Sequence, residues 1–258
     1  MPDRSLNILT ARFLNEYKKS VQVDLKKAFQ KVEKLASPVK EFNFYLASAS
    51  TYSSNIEGNS VSLDSFFKYM TSKAIKKTKE IQEIENLSNA YLFAEQNTLN
   101  KKNFLKTHAL LSRSFLIKAF QGKIRKHNMT VIGEEGIVYV AAETEIVKKE
   151  MEKLWGDIHF LLQEKLSDTE IFYYASLIHL LFEAIHPFAD GNGRAGRLLE
   201  KWFLVEKLGN GAWNIESEKY YYLNKNNYYK NLKMGFEYET INLKLSVPFL
   251  LMLPNALK

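Results

Sequence analysis

Residues 171–185 read IFYYASLIHLLFEAI, with Glu183 the single formal charge, and the run stops at His186-Pro187. A helix that is apolar on nearly every side is stable in water only when other elements cover it. A helix over about 169–185 therefore has to lie at the centre of a bundle. Pro187 lacks an N–H and clashes with the preceding turn, which ends that helix near Ile185 or His186. Ser167 and Glu170, in S-D-T-E, form a capping box at its start.

Much of the remaining chain repeats the helical period. The segment EIQEIENLSNAYLFAEQN (80–97) puts Ile81, Ile84, Leu87, Tyr91 and Ala94 on one face, and Val147, Met151, Leu154, Ile158, Leu161 and Leu162 do the same further on. A further helix runs from about Gly193 through Leu198, Leu199, Trp202 and Phe203, and ends before Gly209. Five prolines, none between Pro38 and Pro187, leave few breaks. One segment departs from the pattern: in MTVIGEEGIVYV (129–140), two β-branched runs flank Gly-Glu-Glu-Gly, which reads as a short hairpin. The fold class expected is all-α with one hairpin. With no internal repeat and no Gly/Ser-rich linker, 258 residues form one continuous domain.

Composition narrows the function classes. No 18-residue apolar segment and no uninterrupted signal-type core are present, so a soluble, unexported, cytoplasmic protein is expected, with no membrane partner. The absence of cysteine excludes disulfides, thiolate metal sites and a cysteine nucleophile. A net charge of +7 comes from 36 basic against 29 acidic residues, much of it lysine on helix faces such as Lys76, Lys77 and Lys79 or Lys148, Lys149 and Lys153. No basic stripe is interleaved with aromatics, so specific nucleic-acid binding is not expected.

The loop after the apolar helix, IHPFADGNGRAGR, holds far more chemistry than a turn needs. Gly191 and Gly193 let the backbone aim N–H groups inward, and Asn192 between them tolerates left-handed geometry. Such donors at a helix N-terminus make an anion site. Arg194 and Arg197 lie three apart, so both reach the same region with forks suited to phosphate. Asp190 would repel phosphate on its own; a Mg²⁺ ion, which takes one or two carboxylates together with phosphate oxygens, resolves the conflict. His186 is then placed as a general base beside a polyphosphate. Taken singly, each residue has a blander reading: a helix-terminal histidine, a turn, a solvated arginine. A structural Zn²⁺ site at His186 and Asp190 lacks further nearby His or Cys ligands, and the P-loop order is absent.

HPFADGNGRAGR resembles the signature of the Fic (filamentation induced by cAMP) family, H-P-F-x-[D/E]-G-N-G-R-x-x-R, with every fixed position filled from His186 to Arg197. The resemblance spans about Asn103 to Phe236. It implies a Fic-type helical bundle in which ATP and Mg²⁺ bind at the loop and AMP passes to a hydroxyl side chain of a target protein. By that resemblance His186 activates the acceptor Ser, Thr or Tyr, and Asp190 holds the metal. Gly191, Asn192 and Gly193 cradle the phosphates, with Arg194 and Arg197 on the β- and γ-phosphates and Phe188 a buried anchor. GKIRKHNMTVIGEEGIVYVAA (122–142) resembles the family's flap, whose hairpin at 129–140 holds the target by strand-like pairing, although Ala141 and Ala142 stand where members often carry prolines. NNYYKNL (226–232) resembles the nucleotide-pocket helix and offers Tyr228, Tyr229 and Asn231 for adenine, with core packing the competing reading for both tyrosines. The division implied is one Fic unit over 1–258, with an N-terminal helical region (1–100) and a core (101–258).

SSNIEGNS (53–60) reads as a helix C-terminus with Gly58 left-handed. A carboxylate there is unfavourable to the helix dipole, so Glu57 is better explained if a cation meets it. The stretch resembles the family's inhibitory motif, [S/T]-x-x-x-E-[G/N], here Ser53, Glu57 and Gly58. The resemblance implies that Glu57 pairs with Arg197 and forces ATP into an unproductive pose. The reading is a protein adenylyltransferase with a built-in brake, acting on an unidentified target and open to self-modification and homodimerisation. Three alternatives stay open: removal of AMP, transfer of another nucleotide or phosphoryl group, and a nucleotide-binding module with little catalysis.

Overall fold

The computed structural model describes residues 6–35, 40–72, 76–133 and 136–258. Glu134 and Glu135, at the turn of the expected hairpin, lie outside the described residues. In chain order the elements are α1 (Leu14–Ser20), α2 (Leu25–Leu35), α3 (Lys40–Ile56), α4 (Leu63–Thr71), α5 (Lys79–Glu95), α6 (Lys101–Leu111), β1 (Thr130–Gly133) and β2 (Gly136–Val140). Then come α7 (Thr144–Gln163), α8 (Asp168–Ile185), α9 (Asn192–Leu208), α10 (Ser217–Leu223) and α11 (Lys225–Leu232), followed by short helical turns near the C-terminus. The protein is all-α with a two-stranded antiparallel hairpin.

The apolar helix is where its sequence requires it. From Ile171 to Ile185, every residue of α8 except Glu183 is buried. It packs against α9, α7, α1 and α2. Each fully buried Leu, Ile or Phe there contributes about 1.5–3 kcal/mol through area removed from water. The Ser167 N–H donates to Glu170 Oε2 at 2.9 Å, so the capping box closes as its spacing predicts. The helix ends on His186, which adopts left-handed geometry at φ 53°.

One hydrophobic core runs from Leu9 to Leu253, joining the N-terminal helices to the later ones. Three interactions lock distant parts of this body. Asp157 on α7 accepts the Asn7, Ile8 and Leu9 N–H groups at 2.7–2.8 Å, together with the Asn7 side-chain amide, which fixes the N-terminal segment. Tyr139 on β2 donates to the Ala184 carbonyl at 3.0 Å. The Val140 N–H donates to the Phe236 carbonyl at 2.8 Å, tying the hairpin's base to the chain beyond α11. Ala141 and Ala142 are buried at that base, whereas Ile132 and Ile137 stand exposed on the hairpin. Among the described residues, no helix is long and apolar enough to cross a membrane.

Candidate active site

The site forms where α8 ends and α9 begins. Left-handed geometry at a non-glycine residue costs about 1–2 kcal/mol, and Arg125 holds His186 in it. The Arg125 Nε donates to the His186 carbonyl at 2.8 Å, and its backbone N–H donates to the Pro187 carbonyl at 2.9 Å. The same guanidinium donates to the His127 carbonyl at 2.7 Å and to the Ala142 carbonyl, so one buried side chain joins the His186 turn to both feet of the hairpin.

The His186 ring is 18% exposed. Its Nδ1 lies 3.3 Å from the Glu183 carbonyl oxygen, an acceptor, which places the proton on Nδ1 and leaves Nε2 with a free lone pair. Burial pushes its pKa down to about 4, against a smaller upward pull from the Glu183 carbonyl. His186 is therefore neutral across the neutral pH range, as a proton acceptor must be.

The loop that follows is rigid by construction. Asn192 accepts from the Phe188 N–H and donates to the Phe188 carbonyl, both at 2.9 Å. The Phe188 ring is fully buried and stacks on His108, centroids 3.6 Å apart. His108 in turn accepts from the Gly122 N–H at Nδ1 and donates from Nε2 to the Asp190 carbonyl, each at 2.9 Å. That fixed backbone presents the Asp190 carboxylate outward, 54% exposed and 3.4 Å from Arg194 Nη2.

Both signature arginines are buried, and both meet a carboxylate from the N-terminal helices. Arg197 Nη2 lies 2.7 Å from Glu57 Oε1. Its Nε donates to Ser53 Oγ at 2.9 Å, and Nη2 also donates to the Ser53 carbonyl at 3.0 Å. Gly58, at φ 96°, makes the turn that swings Glu57 off the end of α3. Burial raises the Glu57 carboxyl's pKa, but attraction from Arg197 and Arg194 outweighs it and holds the group below its usual range. A Cβ on Gly193 would clash with Glu57 Oε1, so Gly193 is the residue that opens this space. The carboxylate oxygen thus occupies a pocket with a guanidinium on one side and a helix N-terminus on the other, an anion position by its chemistry.

Arg194 pairs with Glu83 on α5, and its guanidinium lies 4.0 Å from the Phe115 ring centroid. The sequence reading missed Glu83, because in the 80–97 pattern it looks like one more solvated acidic residue. It missed His108 and Arg125 because the loop carbonyls they hold, those of Asp190 and His186, lie tens of residues away. A signal existed for Arg125 alone, in its place at the foot of the hairpin.

The candidate adenine residues separate. Tyr228 is 1% exposed, its hydroxyl 3.1 Å from both Arg197 Nη1 and His179 Nε2. Packed this way it has no face free for a base, and the adenine assignment is corrected to a core role. His179 Nδ1 meets Glu200 Oε2 at 2.9 Å, and Tyr221 donates to the same carboxylate, so a buried polar chain runs from Arg197 into the core. Tyr229 is 39% exposed and its hydroxyl donates to the Ile56 carbonyl at 2.9 Å, beside Glu57. Asn231 lies further along α11, its amide 3.4 Å from the Pro248 carbonyl.

Comparison with known proteins agrees with this geometry. Residues 98–204 match the Fic/DOC family. The chain is 44% identical over 66 residues to a protein of Aquifex aeolicus (strain VF5) named probable protein adenylyltransferase aq_aa38, a stretch covering 24% of this chain and 19% of that relative. A Fic family protein from Desulfovibrio desulfuricans G20 superposes with a TM-score of 0.73 at 20% identity, over 98% of this chain and 74% of that one. A Fic domain-containing signaling protein from Bacteroides thetaiotaomicron VPI-5482 gives 0.71 at 21%, over 91% and 92%. Fic-1 (residues 134–508) from C. elegans gives 0.64 at 18%, over 95% and 69%. These likenesses show the fold. Over residues 98–204, less than half of the chain, the sequence is similar to the Fic/DOC family, and the fold around that stretch is shared with the Fic proteins it superposes on.

Proposed function

We propose that the protein transfers AMP from ATP to a hydroxyl side chain of a target protein, and that Glu57 restrains the reaction by occupying part of the phosphate site. The observation that carries this reading is the position of Glu57 Oε1, in the space Gly193 leaves open and 2.7 Å from Arg197 Nη2. A carboxylate in an anion pocket is a stand-in for a phosphate oxygen. The relative named a probable protein adenylyltransferase supports the nature of the group transferred.

The step follows from the groups present. The acceptor oxygen attacks the α-phosphorus, its proton passes to His186 Nε2, and pyrophosphate leaves with the electron pair of the broken P–O bond. The backbone at Gly191, Asn192 and Gly193 and the guanidiniums of Arg194 and Arg197 bind the phosphates and fix their orientation. The outward Asp190 carboxylate fits a Mg²⁺ ion that takes its other ligands from phosphate and water. Such an ion, when bound, neutralises charge on the phosphates. The target's backbone lies along the 129–140 hairpin, whose strands carry the exposed Ile132 and Ile137.

The restraint is one of competition. An interaction of Glu57 with Arg197 worth about 2–3 kcal/mol lowers the productive fraction roughly 30- to 150-fold. The test is to incubate wild type and Glu57→Gly with α-labelled ATP, CTP, UTP or GTP plus Mg²⁺, with and without a cell lysate. Label on protein from ATP, many-fold stronger in the variant, is the expected result. No label from any nucleotide would overturn transfer, and equal labelling of the two proteins would overturn the brake.

A further inference from the structure

Glu183 is the one formally charged residue of 171–185, and the reaction above does not use it. It lies one turn before His186, its side chain 13% exposed. Its Oε2 is 3.9 Å from His186 Nδ1, just beyond hydrogen-bond range. Its Oε1 is buried and has no hydrogen-bond partner. The carboxylate is also accommodated by the chain opposite: a Cβ on Gly196 would stand 2.5 Å from Glu183 Oε1 and 3.0 Å from the His179 ring, so a side chain in the last variable position of the signature would displace it.

A buried acid with an unused oxygen needs a reason. Resting on the AMP-transfer reading above, we propose that Glu183 is a positioning residue whose carboxylate takes over the His186 Nδ1 hydrogen bond as the imidazole accepts the acceptor's proton, and so offsets the charge of the imidazolium. A side-chain movement of about 1 Å brings Oε2 into hydrogen-bond range. In the neutral ring, the Glu183 carbonyl suffices as the Nδ1 acceptor. Once Nε2 is protonated the ring bears a full charge in a site that resists charge, and an ionised carboxylate beside it lowers that cost. No proton beyond that of the transfer step changes hands: the one on Nε2 leaves later to solvent, and the one on Nδ1 stays on the ring.

The surroundings set when Glu183 ionises. Facing it are His179 and His186 on its own helix, Arg197 on α9, Glu57 beyond α3, and Tyr228 and Tyr229 on α11. Burial pushes its pKa up to about 7; His179 and Arg197 pull it down, and Glu57 raises it further. Removal of the Glu57 charge by itself favours the ionised form, until a phosphate takes its place.

Glu183→Gln is the informative variant, because glutamine has the shape and charge of the protonated acid and should fold as wild type. With histidine ring nitrogens labelled and His186 assigned through His186→Ala, the wild-type His186 resonances should show an inflection near pH 7 while the ring stays a neutral tautomer. Glu183→Gln should show none between pH 5.5 and 8.5. Separately, in the Glu57→Gly background, Glu183→Gln should lower kcat for AMP transfer roughly 10- to 100-fold with KM for ATP changed by less than about twofold, and should remove the limb near pH 7 from the kcat profile. A flat wild-type titration, an inflection that survives in Glu183→Gln, or an unchanged kcat would each overturn the proposal. An intact, Glu183-dependent inflection without transfer from the Glu57→Gly parent would support the pairing and count against AMP transfer itself.

Discussion

His186 is held by its backbone more than by its ring. Arg125 fixes the carbonyl, a left-handed turn aims the side chain, and burial keeps the imidazole neutral with its pKa down near 4. Replacing it with alanine should leave ATP binding, measured by calorimetry, within about twofold. AMP transfer should fall by roughly 10²–10⁴, the usual share of a general base. Transfer by His186→Ala at the wild-type rate would remove it from the reaction. Tyr228 belongs at the same scale. Its hydroxyl links Arg197 to His179, so Tyr228→Phe should leave buried donors and acceptors unpaired and cost about 1–3 kcal/mol in urea unfolding. A stability equal to wild type would mean that the polar chain behind Arg197 contributes nothing.

Helices decide which of these residues meet. The period in 80–97 and 147–162 identified the buried faces of α5 and α7, and the capping box and Pro187 marked both ends of α8. Local spacing carries that information because helix neighbours are three and four residues apart. It carries none about Glu83 and Arg194, 111 residues apart, which meet only because α5 packs beside α9. Glu57 and Arg197, 140 apart, became legible through a motif and through the oddity of an acid at a helix C-terminus. The composition of NNYYKNL could not say which tyrosine faced inward, since both readings need an aromatic. Packing also sets a pH dependence. His108, between α6 and the signature loop, has its pKa pushed down to about 4 by burial, below the unfolded value near 6.5. Between those values the unfolded chain binds more protons, so stability is complete above about pH 6.5 and is lost as pH falls toward 4. The loss from this residue is about 3 kcal/mol. Urea midpoints should fall over that window in wild type and fall less in His108→Gln; identical slopes would contradict the assignment.

The whole molecule behaves as one body because its core is continuous from Leu9 to Leu253, and its two halves meet at the arginines. Glu57 therefore stabilises the fold and, in the proposed function, opposes the substrate. Without nucleotide, Glu57→Gly should melt at a lower temperature than wild type, because removing one partner leaves the buried Arg197 with only neutral partners. With ATP and Mg²⁺ the order of response should reverse. The variant should gain more, about 2.7 kcal/mol at a ligand concentration of 100 Kd, while wild type gains less because the ligand must first displace the carboxylate. Equal shifts in thermal melting would show that Glu57 and ATP do not compete. The 140-residue separation of Glu57 from Arg197 has a consequence in time as well as in space. A ribosome releases the chain N-terminus first, so the carboxylate is already outside when the signature arginine emerges. Under the proposed restraint, the pairing partner is present from the moment the site folds, and newly made copies should start life switched off.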